Sequence, residues 1–127
     1  MNVVDSSAWL EYLANGPNAA YFAPAIEAVD DLLVPAIVLY EVFRRVLQQR
    51  GEDAALQAAA LLHQGEIVAI DSALALYAAR LSAELKLPLA DSLIYATSRV
   101  RDATLWTQDA DFKGLPDVRY RPSRASR

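Results

Sequence analysis

The sequence predicts an α/β fold, with helices on both faces of a mainly parallel five-stranded sheet in a three-layer α/β/α arrangement. Short apolar runs of strand length alternate with longer stretches of helical period, which is typical of βαβ units. Glycine falls at junctions between these segments. The chain has 127 residues, and a chain of this size buries roughly two-thirds of its unfolded surface. We therefore expect one domain over residues 1–127.

The first half of the chain is predicted to contain two strands and three helices. Its first apolar run ends at Asp5, where Asp or Ser can cap a following helix, and Gly16-Pro17 then interrupts the helical pattern. Gly51 follows a long helical stretch, as a C-terminal glycine commonly does. In chain order, we predict strand Asn2–Val4, helix Ser7–Asn15, helix Ala19–Val29, strand Leu32–Pro35 and helix Ala36–Arg50.

The second half is predicted to contain three strands and three helices. Gly65 and Gly114 each come shortly before an apolar run, where a chain reversal is expected. After the last run we expect a flexible basic tail at 122–127. In chain order, we predict helix Asp53–Gln64, strand Ile67–Ile70, helix Ala73–Leu85, helix Ala90–Val100, strand Thr104–Thr107 and strand Val118–Arg121.

Composition excludes several kinds of chemistry. The chain has no cysteine, which excludes disulfides, thiolate nucleophiles and cysteine-based zinc sites. His63 is the only histidine, and Lys86 and Lys113 are the only lysines, so a multi-histidine metal site is also excluded. No apolar run reaches the roughly 18 residues of a membrane-spanning helix, and the N-terminus has no basic region typical of a secretory signal. We therefore expect a cytoplasmic protein without a membrane partner.

Charge is unevenly distributed along the chain. The net charge of −4 argues mildly against binding nucleic acid by bulk attraction, because phosphates are usually contacted by Lys and Arg. However, two Arg pairs interrupt the acidic sequence, and the C-terminal segment from Lys113 has one acid, Asp117, among several basic residues. The basic residues concerned are Arg44, Arg45, Arg99, Arg101, Lys113, Arg119, Arg121, Arg124 and Arg127.

Four acids lie where a functional crevice is expected. In open α/β sheets this crevice lies beyond the carboxyl ends of the strands. Asp5 directly follows the first predicted strand, and Asp109 comes two residues after the fourth. Glu41 lies about one and a half turns into the third helix, and Asp91 begins the helix before the fourth strand. All four could therefore reach one edge of the sheet.

Each of these acids also has a structural interpretation. Asp5 could cap a helix, and the helix dipole alone would favour Asp91. Glu41 is the most unusual, because it interrupts the apolar segment PAIVLYEVF and buried carboxylates are rare unless they are paired or bind metal. Asp109 begins DADFKG, which is similar to the start of a calcium loop, but Tyr120 occupies the position that requires a bidentate Glu. For Asp71, after the third strand, we predict a helix cap.

The chain resembles PIN-domain ribonucleases, in particular the VapC-type toxins of toxin–antitoxin pairs. The resemblance rests on VVDSSAWLEYL, VPAIVLYEVFRR, LPLADSLIYATS and LWTQDADF, which occur in the family's order over nearly the whole chain. It implies a PIN-like (Rossmann-like) fold and metal-binding acids at Asp5, Glu41, Asp91 and Asp109. It also implies supporting hydrogen bonds from Ser7 and Thr107. Asp111 is an additional candidate, because participation of this acid varies within the family.

The chemistry expected of such a site depends on a cation. Two like charges ~4 Å apart repel by about 4 kcal/mol at an effective dielectric near 20, so clustered carboxylates require protons or a metal. All-oxygen ligation favours Mg²⁺ or Mn²⁺, and water activated by the metal could attack a phosphodiester in line. The resemblance implies RNA cleavage that leaves a 5′-phosphate. Asp5, Asp91 and Asp109 would bind the metal, whereas Glu41 would bind through water or polarise the attacking water.

The resemblance also implies partners. We expect an RNA substrate, a homodimer and a cognate VapB-like antitoxin that inhibits the active site, with Arg44 and Arg45 as candidate contacts to RNA or to this partner. Two alternatives stay open from the sequence. A receiver-like Mg²⁺-binding signalling module would need an adjacent acidic pair after the first strand, whereas Asp5 is followed by serines. A catalytically inactive PIN-fold binding domain is the second, but all four acid positions are filled.

Overall fold

A computed structural model describes residues 1–124 of the chain, with five strands and six α-helices over that range. The strands are β1 (Asn2–Val4), β2 (Leu32–Pro35), β3 (Glu66–Val68), β4 (Thr104–Thr107) and β5 (Val118–Tyr120). The helices are α1 (Ser6–Leu13), α2 (Ala19–Glu27), α3 (Ala36–Arg50), α4 (Glu52–Leu62), α5 (Ser72–Leu85) and α6 (Leu89–Val100). Short 3₁₀ turns cover Val29–Asp31 and Ala110–Phe112.

The strands form one sheet in the order β3-β2-β1-β4-β5, and every described pairing is parallel. β1 lies at the centre, with Val3 opposite Leu33 of β2 and Leu105 of β4. These three side chains are fully buried. Parallel strands need long crossovers, which the helices supply while covering both faces of the sheet. The predicted three-layer α/β/α fold with a five-stranded sheet is therefore confirmed.

The two faces of the sheet are covered by different helices. α1 and α2 pack against β1 and β4 and contribute the buried rings of Trp9 and Phe22. α6 packs against the same strands and against β2, and seven consecutive residues of this helix, 92–98, are buried. This buried stretch anchors α6 against the sheet, and Asp91 directly precedes it in the first turn of the helix.

The element boundaries differ from the predictions by one or two residues in most cases, for reasons of pairing and capping. The third strand ends at Val68 rather than Ile70, because its partner β2 ends at Pro35, opposite Val68. The last strand ends at Tyr120 because that residue pairs with the end of β4. The second helix stops at Glu27, and a separate 3₁₀ turn begins at Val29, the last residue of the predicted helix. Asp5 caps the first helix, which therefore begins at Ser6.

Gly65 allows β3 to join the sheet. A Cβ atom at this position would lie 2.8 Å from the carbonyl oxygen of Leu32, so a larger residue would force β2 and the start of β3 apart. Part of the predicted tail, 122–124, falls within the described residues, and the carbonyl of Pro122 accepts a 2.9 Å hydrogen bond from Asn18. Residues 125–127 of that tail lie outside the description. No helix in residues 1–124 has the length and apolarity to span a membrane.

Candidate active site

The acids at the strand ends meet at one edge of the sheet. Asp5 follows β1, and its backbone N–H donates to the carbonyl of Trp106 in β4 at 3.1 Å. Thr107 ends β4, and Asp109 follows two residues later. Because β1 and β4 are parallel neighbours, their carboxyl ends bring these side chains together, as expected for an open α/β sheet.

The Asp5 carboxylate is buried and fully hydrogen-bonded. Its side chain accepts from Ser7 Oγ at 2.8 Å, from the backbone N–H of Ala8 at 2.9 Å and from Thr107 Oγ1 at 2.6 Å. The residue is 2% exposed. These donors fix the orientation of the carboxylate, and the bond from Ala8 also caps α1.

Thr107 links Asp5 to the other acids. Its hydroxyl donates to Asp5 and accepts from the backbone N–H of Asp109 at 2.9 Å. The Asp109 carboxylate in turn accepts from the N–H of Asp111 at 2.9 Å, which closes the start of the 3₁₀ turn. Phe112, at the end of this turn, is fully buried and anchors it to the core. A chain of hydrogen bonds therefore sets the distance between Asp5 and Asp109.

Asp91, Asp109 and Asp111 form a cluster of three carboxylates. One oxygen atom from each lies within 4.8 Å of the others, a separation at which all three could bind one cation. Asp91 comes from the first turn of α6, whereas Asp109 and Asp111 come from the segment after β4. Asp91 and Asp109 are half-buried and Asp111 is exposed, so the cluster opens to solvent on one side.

Burial and mutual repulsion favour the protonated forms of two of these acids. The pKa of Asp91 is raised from 3.8 to about 7, first by burial and then by the charges of Asp109, Asp111 and Asp5, together with a hydrogen bond to Asp111. The pKa of Asp5 is raised to about 6, mainly by burial, although its bonds from Thr107, Ala8 and Ser7 oppose the shift. Raised acid pKa values near a cleft are typical of functional sites.

Glu41 lies near this edge but outside the cluster of three. It is half-buried on α3, and its carboxylate accepts a 2.6 Å hydrogen bond from Ser6 Oγ. It also lines a cavity of about 250 Å³ with Ser6, Leu10, Tyr40, Arg44 and Arg45. Ser6 was not among the sequence candidates. Its position beside Asp5 was a signal, but the sequence could not indicate which acid its hydroxyl would contact.

The structure thus arranges the candidate residues in three connected groups. Asp5, Ser7, Thr107 and Asp109 are joined by hydrogen bonds, and Asp91 and Asp111 meet Asp109 in the cluster. Glu41, with Arg44 and Arg45, lines the neighbouring cavity. Asp71 accepts from the N–H of Leu74 at 2.8 Å, which confirms its predicted role as a helix cap. The metal-binding roles of the acids remain predictions.

Comparison with known proteins places this geometry in a family. A model of the PIN domain matches residues 3–118. A toxin–antitoxin complex from Klebsiella pneumoniae aligns with a TM-score of 0.77 and 25% identity, covering 93% of this chain and 95% of that one. No curated protein matches the sequence.

Two further solved structures share the fold at lower identity. A VapC toxin from Mycobacterium tuberculosis, described as cleaving the sarcin–ricin loop, aligns with a TM-score of 0.78 and 21% identity, covering 96% of this chain and 100% of that one. A VapBC complex from Rickettsia felis, bound to a DNA fragment from its promoter, aligns with a TM-score of 0.73 and 19% identity. The alignment covers 95% of this chain and 97% of that one. At such identity the similarity establishes the fold alone.

Proposed function

The chain belongs to the PIN-domain family, and on that premise we propose that it is a metal-dependent endoribonuclease, the toxin of a VapBC-type toxin–antitoxin module. The observation that carries this proposal is the cluster of Asp91, Asp109 and Asp111 beside the buried Asp5. The cluster lies beyond the carboxyl ends of the two central strands, where α/β proteins bind their ligands.

The residues fit a hard divalent cation such as Mg²⁺ or Mn²⁺. The donor atoms within 4.8 Å of one another are all carboxylate oxygens, with no histidine or cysteine among them. Oxygen ligands are those that Mg²⁺ and Mn²⁺ prefer, whereas zinc favours nitrogen and sulfur. The pKa of Asp91 is raised to about 7, first by burial and then by repulsion from the charges of Asp109, Asp111 and Asp5. A bound cation would relieve that repulsion.

We assign the side chains distinct roles in RNA hydrolysis. A divalent cation at this site would supply activation of water and stabilisation of charge on the phosphate. Asp91 and Asp109 would hold the cation, and Asp5, fixed by Ser7 and Thr107, would complete its coordination from the buried side. Glu41, oriented by Ser6, would accept a proton from the attacking water.

Asp111 joins the cation site in this proposal. The sequence left it as an additional candidate, whereas its carboxylate lies within 4.8 Å of the oxygens of Asp91 and Asp109. Because it is exposed and follows Asp109 by two residues, we assign it the weakest hold on the cation.

The proposed partners are an RNA substrate, a second copy of the chain and a VapB-like antitoxin, all acting in the cytoplasm. A structure with the same fold, from Klebsiella pneumoniae, is a toxin–antitoxin complex. An apolar groove of about 580 Å³ between α3 and α4 offers room for an antitoxin segment. Its lining includes Tyr40, which is 61% exposed, and Arg44, which also lines the cavity beside Glu41. A partner in this groove would therefore reach the active-site edge.

Neither alternative function is favoured. In a receiver-like module, Asp71 would be the phosphate acceptor, yet its carboxylate caps α5 by accepting from Leu74. The PIN-domain match also argues against that class. An inactive binding domain would not need four acids gathered at one edge.

The decisive experiment measures cleavage of single-stranded RNA by the purified protein with Mn²⁺ or Mg²⁺. We expect cleavage that EDTA abolishes and that leaves 5′-phosphate ends. Asp91→Asn should be inactive, whereas Asp53→Asn should cleave like the parent. Asp53 is a matched control because it is an exposed acid in the first turn of another helix, α4. Cleavage that persists in EDTA, or in Asp91→Asn, would contradict the proposal.

The toxin role has a separate test in cells. Expression of the parent should arrest growth, and co-expression of the protein encoded by the neighbouring upstream gene should relieve the arrest. Asp91→Asn should be harmless at equal abundance. If Asp91→Asn is as toxic as the parent, toxicity does not depend on the proposed site.

A further inference from the structure

Two exposed arginines, on and just after β5, stack on aromatic rings of β4 and α2. The Arg119 guanidinium lies 4.9 Å from the ring centre of Trp106, and that of Arg121 lies 4.6 Å from Tyr21. The Trp106 and Tyr21 rings are themselves 5.5 Å apart. We call these four side chains the arginine–aromatic ladder. It joins β5, β4 and α2 in one row of contacts, in which the planes of the two rings are tilted by 57°.

Aromatic rings, rather than carboxylates, hold the two arginines of the ladder in place. Arg99 and Arg101 form ion pairs with Asp117 and Glu66, at 2.5 Å and 2.8 Å, whereas no ion pair within residues 1–124 includes Arg119 or Arg121. Stacking engages the flat face of a guanidinium and leaves its N–H donors, which lie in the plane, free for another ligand. The ladder thus presents two guanidinium groups to solvent, each with N–H donors in a fixed orientation.

The ladder borders the acid site through direct backbone contacts. Trp106 precedes Thr107, whose hydroxyl donates to Asp5, and the N–H of Arg121 donates to the carbonyl of Thr107 at 2.9 Å. The segment after β5 is further fixed by buried Asn18, which donates to the carbonyl of Pro122 at 2.9 Å and to Gln108 at 3.1 Å. The ladder therefore adjoins, through the backbone, the strand end that carries Thr107.

From this placement we propose that the arginine–aromatic ladder binds the phosphate backbone of the RNA strand whose scissile phosphate lies at the acid cluster. This inference rests on the proposed function. A polyanion approaching four carboxylates in a chain of net charge −4 requires local positive charge to hold its neighbouring phosphates. Arginine is suited to this because its planar fork matches a phosphate with two parallel hydrogen bonds.

The test is RNA binding in EDTA, where no cleavage is expected, measured by fluorescence anisotropy with a labelled single-stranded RNA of mixed sequence. The double variant Arg119→Ala/Arg121→Ala should bind roughly tenfold more weakly at low salt. The slope of log affinity against log salt should become shallower by about 1.4, because each phosphate contact to a single strand contributes about 0.7. Arg80→Ala, which removes one exposed charge from α5, should leave affinity and slope unchanged.

A second variant tests the stacking itself. Tyr21→Leu keeps both arginine charges but removes the ring beneath Arg121. It should weaken binding by about threefold while the salt slope stays near that of the parent, because a mobile arginine still attracts phosphate but no longer presents a fixed fork. Thermal melts verify that each variant folds. If the double variant does not fold, Arg121→Ala, which lies beyond β5, replaces it with an expected slope change of about 0.7.

Three results would overturn this inference: unchanged RNA affinity in the folded arginine variant, an equal loss in Arg80→Ala, or competition by polyglutamate as effective as that by unlabelled RNA. The last result would indicate an acidic protein as the partner. The two proposals fail separately. If the ladder variants lose binding but the parent never cleaves RNA with Mn²⁺, the nuclease proposal fails alone. If the parent cleaves and the variants bind normally, the ladder proposal fails alone.

Discussion

Two groups of carboxylates near the core have different environments: Asp5 on one side, and the cluster of Asp91, Asp109 and Asp111 on the other. Asp5 is buried and receives donors from Ser7, Ala8 and Thr107. The clustered acids lie closer to solvent and face mainly one another. The hydrogen bonds to Asp5 oppose the rise in its pKa that burial causes, to about 6, whereas the neighbouring carboxylates add to the rise that burial causes in the pKa of Asp91, to about 7. The Asp5 carboxylate is therefore oriented by protein donors, whereas the three clustered carboxylates lie where a cation would lower their mutual repulsion.

The largest expected effect distinguishes the two regions by substitution. Asp91→Asn and Asp5→Ala should both lower RNA cleavage by roughly 10³-fold, comparable to the loss of a main electrostatic contact in a catalytic site. They should differ in stability. At pH 5, below the raised pKa of Asp5, Asp5→Ala leaves three donors without their partner in the interior and should reduce the free energy of unfolding by about 3 kcal/mol. Asp91→Asn removes repulsion and should stabilise the metal-free protein at neutral pH.

Urea unfolding in EDTA at pH 5 and at neutral pH measures this difference, with Asp53→Asn as the control for loss of a surface charge. Equal destabilisation by Asp5→Ala and Asp91→Asn would contradict the distinction between the two regions.

The second expected effect is a pH dependence of the free energy of unfolding of the metal-free protein. The pKa values of Asp5 and Asp91 are raised from 3.8 in the folded state, to about 6 and about 7. Between pH 4 and 7 the folded state therefore holds more protons than the unfolded state, and stability falls as pH rises. The Asp5 shift corresponds to about 3 kcal/mol.

The pH effect is checked by urea unfolding in EDTA at pH 5 and pH 7.5. Added Mn²⁺ should restore stability at pH 7.5 far more than at pH 5, because the cation competes with the protons. If the stability of the metal-free protein instead rises with pH over this range, the pKa values of Asp5 and Asp91 are not raised in the folded state.

A smaller effect is expected at the residue that joins the two regions. Thr107→Val keeps the shape of the side chain but removes the donor to Asp5 and the acceptor for the N–H of Asp109. We expect a 10- to 100-fold loss of cleavage, typical of residues that orient metal ligands. Thr104→Val, at the other end of β4, is the matched control and should retain activity. Equal losses in both variants would assign the effect to the strand rather than to the hydroxyl.

The smallest effect is expected within the cluster. Asp111→Asn should weaken activation by Mn²⁺ by about tenfold, less than Asp109→Asn, because Asp111 is exposed and a water molecule can replace its oxygen. Titration of cleavage rate against Mn²⁺ concentration compares the two variants. If Asp111→Asn is as inactive as Asp109→Asn at saturating Mn²⁺, then Asp111 is an essential ligand rather than a supporting one.

The sequence by itself determined the fold class and the neighbourhood of the site. Period and length distinguished strands from helices, and parallel strands necessarily bring their carboxyl ends to one edge, so Asp5 and Asp109 could be placed together. Local pattern was also enough for the cap at Asp71, because a cap bonds to a residue three positions away. Such features depend on contacts between near neighbours in sequence or on the rules of sheet topology.

Only the tertiary structure decided how the side chains pair across the chain. The bond from Thr107 to Asp5 spans 102 positions and that from Ser6 to Glu41 spans 35, and no local pattern specifies either. The same holds for the membership of Asp111 in the cluster and for the stacking of Arg121 on Tyr21. Composition and spacing fix which residues reach an edge of the sheet. The directions of side chains there, and hence their charge states, are set by packing among segments distant in sequence.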